Sequence, residues 1–510
     1  MVRPSADLHL RIIYLFVGLT CVWAENGNTE DAAALNSDLD YDHPKVWTKG
    51  AQRRRCWGYE KNCAESQRMF KGTSCIRKQG ESPEAFSRRQ GDFWSSADWG
   101  YVSKFKDSMV EICSQRSASD SLFKCSTDNA MCIAKNMYMD LRQLDHHQHG
   151  NAHRKDVLSK PGMLGGRCRM HNGRMATRRP SDVLQAWTDE LEGFGNLKFR
   201  PHATAKQCDV WLDKPTVVMK FDSGVNLYHH FCDFFNLFAT QHVNGSFTRD
   251  LNVVMWHTGR TPFFDLFKDV WRAFTLAGDF KPLGDYDGKR VCFRDVVFTL
   301  GPRMPLGLFY STPIPEKCSG SGLFKAFHRH MVHRFNLTSD RGNVTEPAYR
   351  LRVKFMARKT KWRRVLNQDE LIAALRSTGR YDVEVVEFTR EVPLISQFQT
   401  VHNADILVGM HGAGLTHSLF LPDWGALFEL YNCEDVRCYR DLAALRGAHY
   451  VTWSDKSKLT AVERSPDHLN SAVEKFSNYR MDADEFVRLV DKAATAVQQR
   501  LPKRRPKDEL

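Results

Sequence analysis

Past its first two dozen residues, this chain of 510 residues contains no stretch approaching the ~20 consecutive apolar residues a membrane-spanning helix needs. It also lacks a GxSxG elbow, an HExxH pair and a GxxxxGK(S/T) loop. Those absences count against an esterase of the nucleophile-elbow type, a zincin and a P-loop nucleotidase. There is no CxxC pair either, which weakens a disulfide-isomerase reading. No internal repeat of short period is present.

The two ends carry an address. Arg3 and Arg11 precede a short apolar run from Ile12 to Val22, and Val22-Trp23-Ala24 offers small residues for cleavage. This reads as a secretory signal peptide, with a signal anchor as the competing reading. The chain closes on Lys507-Asp508-Glu509-Leu510, a retrieval address for the endoplasmic reticulum read by the KDEL receptor. The expected location is therefore the lumen of that organelle, with no membrane span in the mature protein. Three N-x-S/T triplets, at Asn244, Asn336 and Asn343, are candidate N-glycosylation sites. Of 14 cysteines, Cys21 lies in the leader. Cys56, Cys63, Cys75, Cys113, Cys125 and Cys132 crowd together and predict a disulfide-stapled subdomain. The odd remainder requires at least one unpaired thiol. Cys433 and Cys438 are expected to form a local disulfide.

Length allows two or three domains, and a hydrophobic content of 42% supports a large core. The formal charge is +13. With this address a nucleic-acid partner is not expected; a phosphate-bearing donor or an acidic protein substrate fits better, and a solvated basic surface is the plain alternative. The expected organisation is a signal peptide at 1–24, a linker at 25–45, a cysteine-rich subdomain at 46–144, a first Rossmann-like lobe at 184–345, a second at 346–500, and a basic tail at 501–510. The lobes rest on alternation. Strand-like runs at 215–222, 252–256 and 291–300 alternate with helix-like runs at 226–243, 263–276 and 323–335. A second series follows, with strands around 351–355, 383–388, 406–409, 426–431 and 450–453 and helices opening at Asn367, Leu394, Gly414 and Asp484. Asn367 and Glu370 have capping-box spacing. Such alternation predicts an α/β fold with parallel sheets, and a ligand at the carboxyl ends of the strands.

Five segments could carry chemistry. His411-Gly412-Ala413-Gly414-Leu415 links a buried strand to a helix, and its glycines let backbone N–H groups approach a phosphate; tight packing of the turn would explain the glycines equally. Asn226, His229, His230 and Asp233 fall in one sector of a helix, where imidazoles and a carboxylate can supply a general base. Arg358, Arg363 and Arg364 follow a strand and suit phosphate geometry. Glu429 ends a strand and could take ribose hydroxyls. Asp285-Tyr286-Asp287 could hold a divalent cation on a diphosphate, although acidic turns of this kind are common.

HNADILVGMHGAGLTHSLFLPDWGALFELYNCEDVRCYRDLA from His402, NLYHHFCDF from Asn226 and RxxxxRRxxNxxEL from Arg358 together resemble a family of inverting glycosyltransferases. That family includes plant β-1,2-xylosyltransferases and protein O-mannose N-acetylglucosaminyltransferase. The resemblance covers nearly all of the chain past the leader, and the NCEDxRCYxDLA stretch and KDEL-type end fall with the branch acting on EGF-like repeats. It implies a GT-B-like fold of two Rossmann-type lobes, UDP-GlcNAc as donor, and Ser/Thr hydroxyls of folded EGF repeats in Notch-like and matrix proteins as acceptors. It implies donor contacts from His411, Gly412, Ala413, Gly414 and Leu415, and a base element at Asn226, His230 and Asp233. A metal is not required by GT-B enzymes in general, so the cation at Asp285 and Asp287 stays open. The alternatives are a transferase using another donor such as UDP-xylose, and a non-catalytic lectin-like or chaperone module.

Overall fold

A computed structural model describes residues 56–502, apart from 71, 73, 145–156, 159, 172, 174, 176–181, 259–262, 304–311, 313, 341–348 and 463–472. The leader, the linker, the KDEL terminus and the Asn343 triplet lie outside the described residues. Among those described, no helix is long and apolar enough to cross a membrane. The molecule is mixed α/β, as the alternation requires.

The second half forms a five-stranded parallel sheet. Its spatial order is Tyr381–Val386, Leu351–Met356, Ile406–Gly409, Ala426–Glu429 and His449–Thr452. In chain order that is 2-1-3-4-5, which reverses direction between Leu351–Met356 and Ile406–Gly409 and opens a crevice at their carboxyl ends. ILVG and ALFE are fully buried, as strands covered on both faces must be. Ile406, Val408, Ala426 and Phe428 pack one way, against helices Gln368–Ser377 and Ala483–Arg500. Leu407 and Leu427 pack the other way.

The first half builds an eleven-stranded sheet. Thr216–Met219 lies between Asn252–Met255 and Arg290–Phe298, parallel to both. Two expectations change here. Arg290–Phe298 pairs antiparallel with Cys132–Asp140, which continues antiparallel through Leu122–Ser126 and Met109–Ser114. The sheet is therefore mixed, and the cysteine-rich segment at 46–144 is not a body of its own, because its strands complete this sheet. Two of its disulfides, Cys56–Cys63 and Cys125–Cys132, are local. Cys113–Cys168 and Cys75–Cys318 leave the segment, the latter spanning 243 residues.

Cys433 and Cys438 do not pair; both are free, as is Cys232. The Cys433 side chain packs with the core on one face of the parallel sheet and Cys438 with the core on the other. Two expected helices are 3-10 turns instead, Lys268–Ala273 and Ala413–Phe420. Asn367 precedes helix Gln368–Ser377 as expected, but its amide bonds the Glu370 carboxylate and the Met481 carbonyl rather than closing a capping box.

Helix Leu227–Asn244 joins the halves. Phe231 meets Phe398 and Phe420 of the second half, at 5.7 and 6.0 Å between ring centres. Phe235 stacks on Phe324 at 4.0 Å. The two sheets thus share one apolar core.

Candidate functional site

The carboxyl ends of the two sheets face a cleft of about 760 Å³. One wall begins with Thr216–Met219, which delivers Asp222, and with helix Leu227–Asn244. Asn226 caps that helix, its side-chain oxygen accepting from the Tyr228 N–H at 3.0 Å. The next helical residue, His229, lines the cleft and bonds Asp222 through Nδ1 at 2.5 Å. Arg303 reaches the same carboxylate, Nη2 to Oδ1 at 2.7 Å. Burial would raise the Asp222 carboxyl, but the bonds from His229 and Arg303 outweigh it and hold it below the ordinary carboxylate range. Donation of Nδ1–H to an ionised carboxylate fixes the tautomer that leaves the other ring nitrogen of this cleft-lining imidazole as the acceptor.

His230 follows His229 directly and Asp233 lies one turn beyond it, yet the expected sharing of one sector fails. Both side chains have no exposed surface. His230 Nδ1 meets Asp233 Oδ2 at 2.8 Å, and Nε2 forms an ion pair with Asp265 at 3.3 Å. Phe221, Phe234 and Trp271 enclose the imidazole. The helix is buried nearly all round, and His230 and Asp233 face the core together while Asn226 and His229 line the cleft. Asp233 and His230 therefore cannot touch a ligand, and the base assignment to them is corrected. Burial would depress His230, yet its bonds to Asp233 and Asp265 lift it to about 9. Asp233 is pushed up to about 6, chiefly by burial, against the pull of His230.

Both shifts make stability fall as pH rises. A raised imidazole stabilises the fold below its unfolded value of about 6.5 and loses that contribution as pH passes about 9. A raised carboxyl loses its contribution between about 4 and 6 in the same sense. The melting temperature is expected to drop from pH 6.5 to 9, and His230→Gln to flatten that part of the profile in a thermal scan.

The opposite wall comes from the switch point. Arg358 follows Leu351–Met356, and His411-Gly412-Ala413-Gly414 follows Ile406–Gly409. Gly412 has φ 151°, a conformation that favours glycine, and a Cβ there would stand 2.6 Å from Arg358 Nη1 and push the guanidinium from its place. Arg363 donates from Nη1 to the His411 carbonyl at 3.0 Å. Arg358 is lowered to about 10, first by burial and then by Arg363. Among the described residues neither guanidinium has a carboxylate partner. Two adjacent cations with no carboxylate partner among the described residues, beside glycine N–H groups, make an arrangement that suits an anion. His411 Nδ1 bonds Glu429 Oε1 at 2.8 Å, and Tyr450 holds the other carboxylate oxygen at 2.5 Å. That fixes the ring with Nε2 toward the cleft. A second chamber of about 660 Å³ lies across the turn and shares Arg358, Ala413 and Gly414 with the first.

Five other expected residues stand elsewhere. Glu429 has no exposed surface and orients His411 rather than meeting a ligand. Leu415 is core. Arg364 does not line the cleft; its N–H donates to Asn478. Asp285 and Asp287 lie just before Arg290, the first residue of its strand, whereas the cleft lies beyond the other end of that strand; neither lines it. They do not fit a cation on a cleft-bound diphosphate. Sequence reading missed Asp222, Arg303, Tyr439 and Lys475. Asp222 had a signal in its place at the end of a predicted strand, and Tyr439, which lines the cleft, in the NCEDxRCYxDLA stretch.

Residues 211–427 match the Glycosyltransferase 61 family. EGF domain-specific O-linked N-acetylglucosamine transferase of Xenopus laevis is 44% identical over 89% of this chain and 86% of its own length. The proteins of that name from Mus musculus and Rattus norvegicus are 44% and 43% identical, each over 89% of this chain and 85% of theirs. The chain belongs to the EGF domain-specific O-linked N-acetylglucosamine transferases, within the glycosyltransferases of family 61.

Proposed function

We propose that this chain transfers N-acetylglucosamine from UDP-GlcNAc to Ser or Thr hydroxyls of folded EGF-like repeats, inverting the anomeric carbon, in the lumen of the endoplasmic reticulum. The observation carrying this reading is the opposition of a carboxylate-held imidazole, Asp222–His229, to a paired-guanidinium anion site, Arg358 and Arg363, across one cleft. The two halves act as GT-B-like lobes, the first for acceptor and the second for donor. The acceptor oxygen bonds the sugar C1 as the C1–O bond to the diphosphate breaks. The hydroxyl proton passes to His229 Nε2, and UDP leaves with the bonding pair. Arg358, Arg363 and the N–H groups of the glycine turn meet the charge that develops on the diphosphate. His411, oriented by Glu429, lines the donor side of the cleft. No step is routed through a cation.

Val225, which lines the second chamber, and Phe264 are 56% and 61% exposed, and their segments meet, since a Cβ at Gly224 would lie 2.4 Å from the Phe264 carbonyl oxygen. They suit the surface of a small folded module better than a free peptide. Phe264→Ala is expected to raise KM for a folded EGF repeat while leaving UDP-GlcNAc hydrolysis unchanged.

The deciding experiment mixes purified protein, a folded EGF repeat and each UDP-sugar, with and without chelator, and reads product mass. A gain of one N-acetylhexosamine from UDP-GlcNAc in both arms is expected. Folded protein giving no gain with any donor sinks the proposal, and a gain only from UDP-xylose moves it to another donor.

A further inference from the structure

Asn244 is the last residue of its helix. Gly245 follows in a left-handed conformation, φ 71°, and its N–H returns to the Gln241 carbonyl. This turn brings both ends of the Asn244-Gly245-Ser246 triplet to the lip of a groove of about 410 Å³, remote from the cleft. The floor is the sheet itself, where the helix stops covering it. Ile133, Val217 and Val297 sit there at 7–8% exposure, on the margin of the core. Lys135 and Asp295 pair across the rim at 3.9 Å. An apolar floor with a few polar groups at its edge, of this volume, is the composition of a small-molecule site. A pyranose has the same two-sided character, C–H faces and a polar perimeter. The tether needed to hold one there is already in the chain.

We propose that Asn244 carries an N-linked glycan whose first N-acetylglucosamine lies in this groove and shields the open margin of the sheet. The inference rests on the secretory reading above. The Asn336 triplet provides an internal contrast. Asn336 is exposed, and Leu337 beside it is buried, so a glycan on Asn336 points into solvent.

The test uses full-length protein made in cells that glycosylate. Glycopeptide mass spectrometry should find Asn244 occupied. An endoglycosidase should trim Asn336 on the native protein and release the Asn244 glycan only after denaturation. Asn244→Gln and Ser246→Ala should each lower Tm, whereas Ser246→Thr, which keeps the triplet, and Asn336→Gln should not. Ser246→Ala guards against a folding defect from changing Asn244 itself. Occupied Asn336 with bare Asn244 overturns the inference. So does an Asn244 glycan released equally from native protein with no change in Tm. Glycan on neither asparagine sinks the secretory reading itself, and the inference with it.

Discussion

His229→Ala is expected to bind the donor and fail to transfer it. A positioned general base contributes about 10²–10⁴-fold to rate; His229, like His411 opposite it, combines cleft access with a buried carboxylate at its Nδ1, and it stands on the wall away from Arg358 and Arg363. The loss should appear in kcat, with UDP still raising the melting temperature. Asp222→Asn should move kcat the same way, because an amide no longer fixes the tautomer that leaves Nε2 as acceptor. Asp233→Asn should behave differently. Breaking one partner of a buried charge pair costs about 3–5 kcal/mol, so its signature is a lower melting temperature with kcat held in whatever protein remains folded. Full transfer by folded His229→Ala removes the base assignment.

The second large effect belongs to Arg358. Removing a charge-assisted hydrogen bond forfeits about 1.5–3 kcal/mol, so Arg358→Ala should weaken UDP binding by about 10- to 100-fold. Calorimetric titration with UDP, UMP and uridine should show the deficit growing with phosphate count. Arg358→Lys should recover little, because an ammonium lacks the planar fork. The unliganded variant should melt no lower than the parent, because Arg363 loses a like-charged neighbour. Equal UDP affinity in parent and Arg358→Ala would place the diphosphate elsewhere.

Much of the parallel half was legible because its code is local. ILVG and ALFE are apolar runs between turn residues, and a glycine turn after a buried strand marks a crevice by topology alone. The wall at the switch point followed from that, with Arg358, His411 and Gly412 lining the cleft. What sequence could not give was direction. His229 and His230 are adjacent in the chain, and only the packing of Phe221, Phe234 and Trp271 decides which enters the core. Glu429 was visible as a strand-end carboxylate, but its partner His411 is 18 positions away and reaches it only through the parallel register. The cysteine cluster misled for the same reason, since nearness in sequence says nothing about Cys75 meeting Cys318.

Enzymes built from two sheets around a crevice often breathe by swinging one half against the other, unless the contact between halves is large and apolar. Here Phe231, Phe398 and Phe420 lie in one continuous core beneath the cleft, and prising the halves apart would wet those rings. Swinging the halves apart is therefore costly, and the opening and closing that a two-walled cleft needs is expected at its loops rather than at a hinge between the sheets.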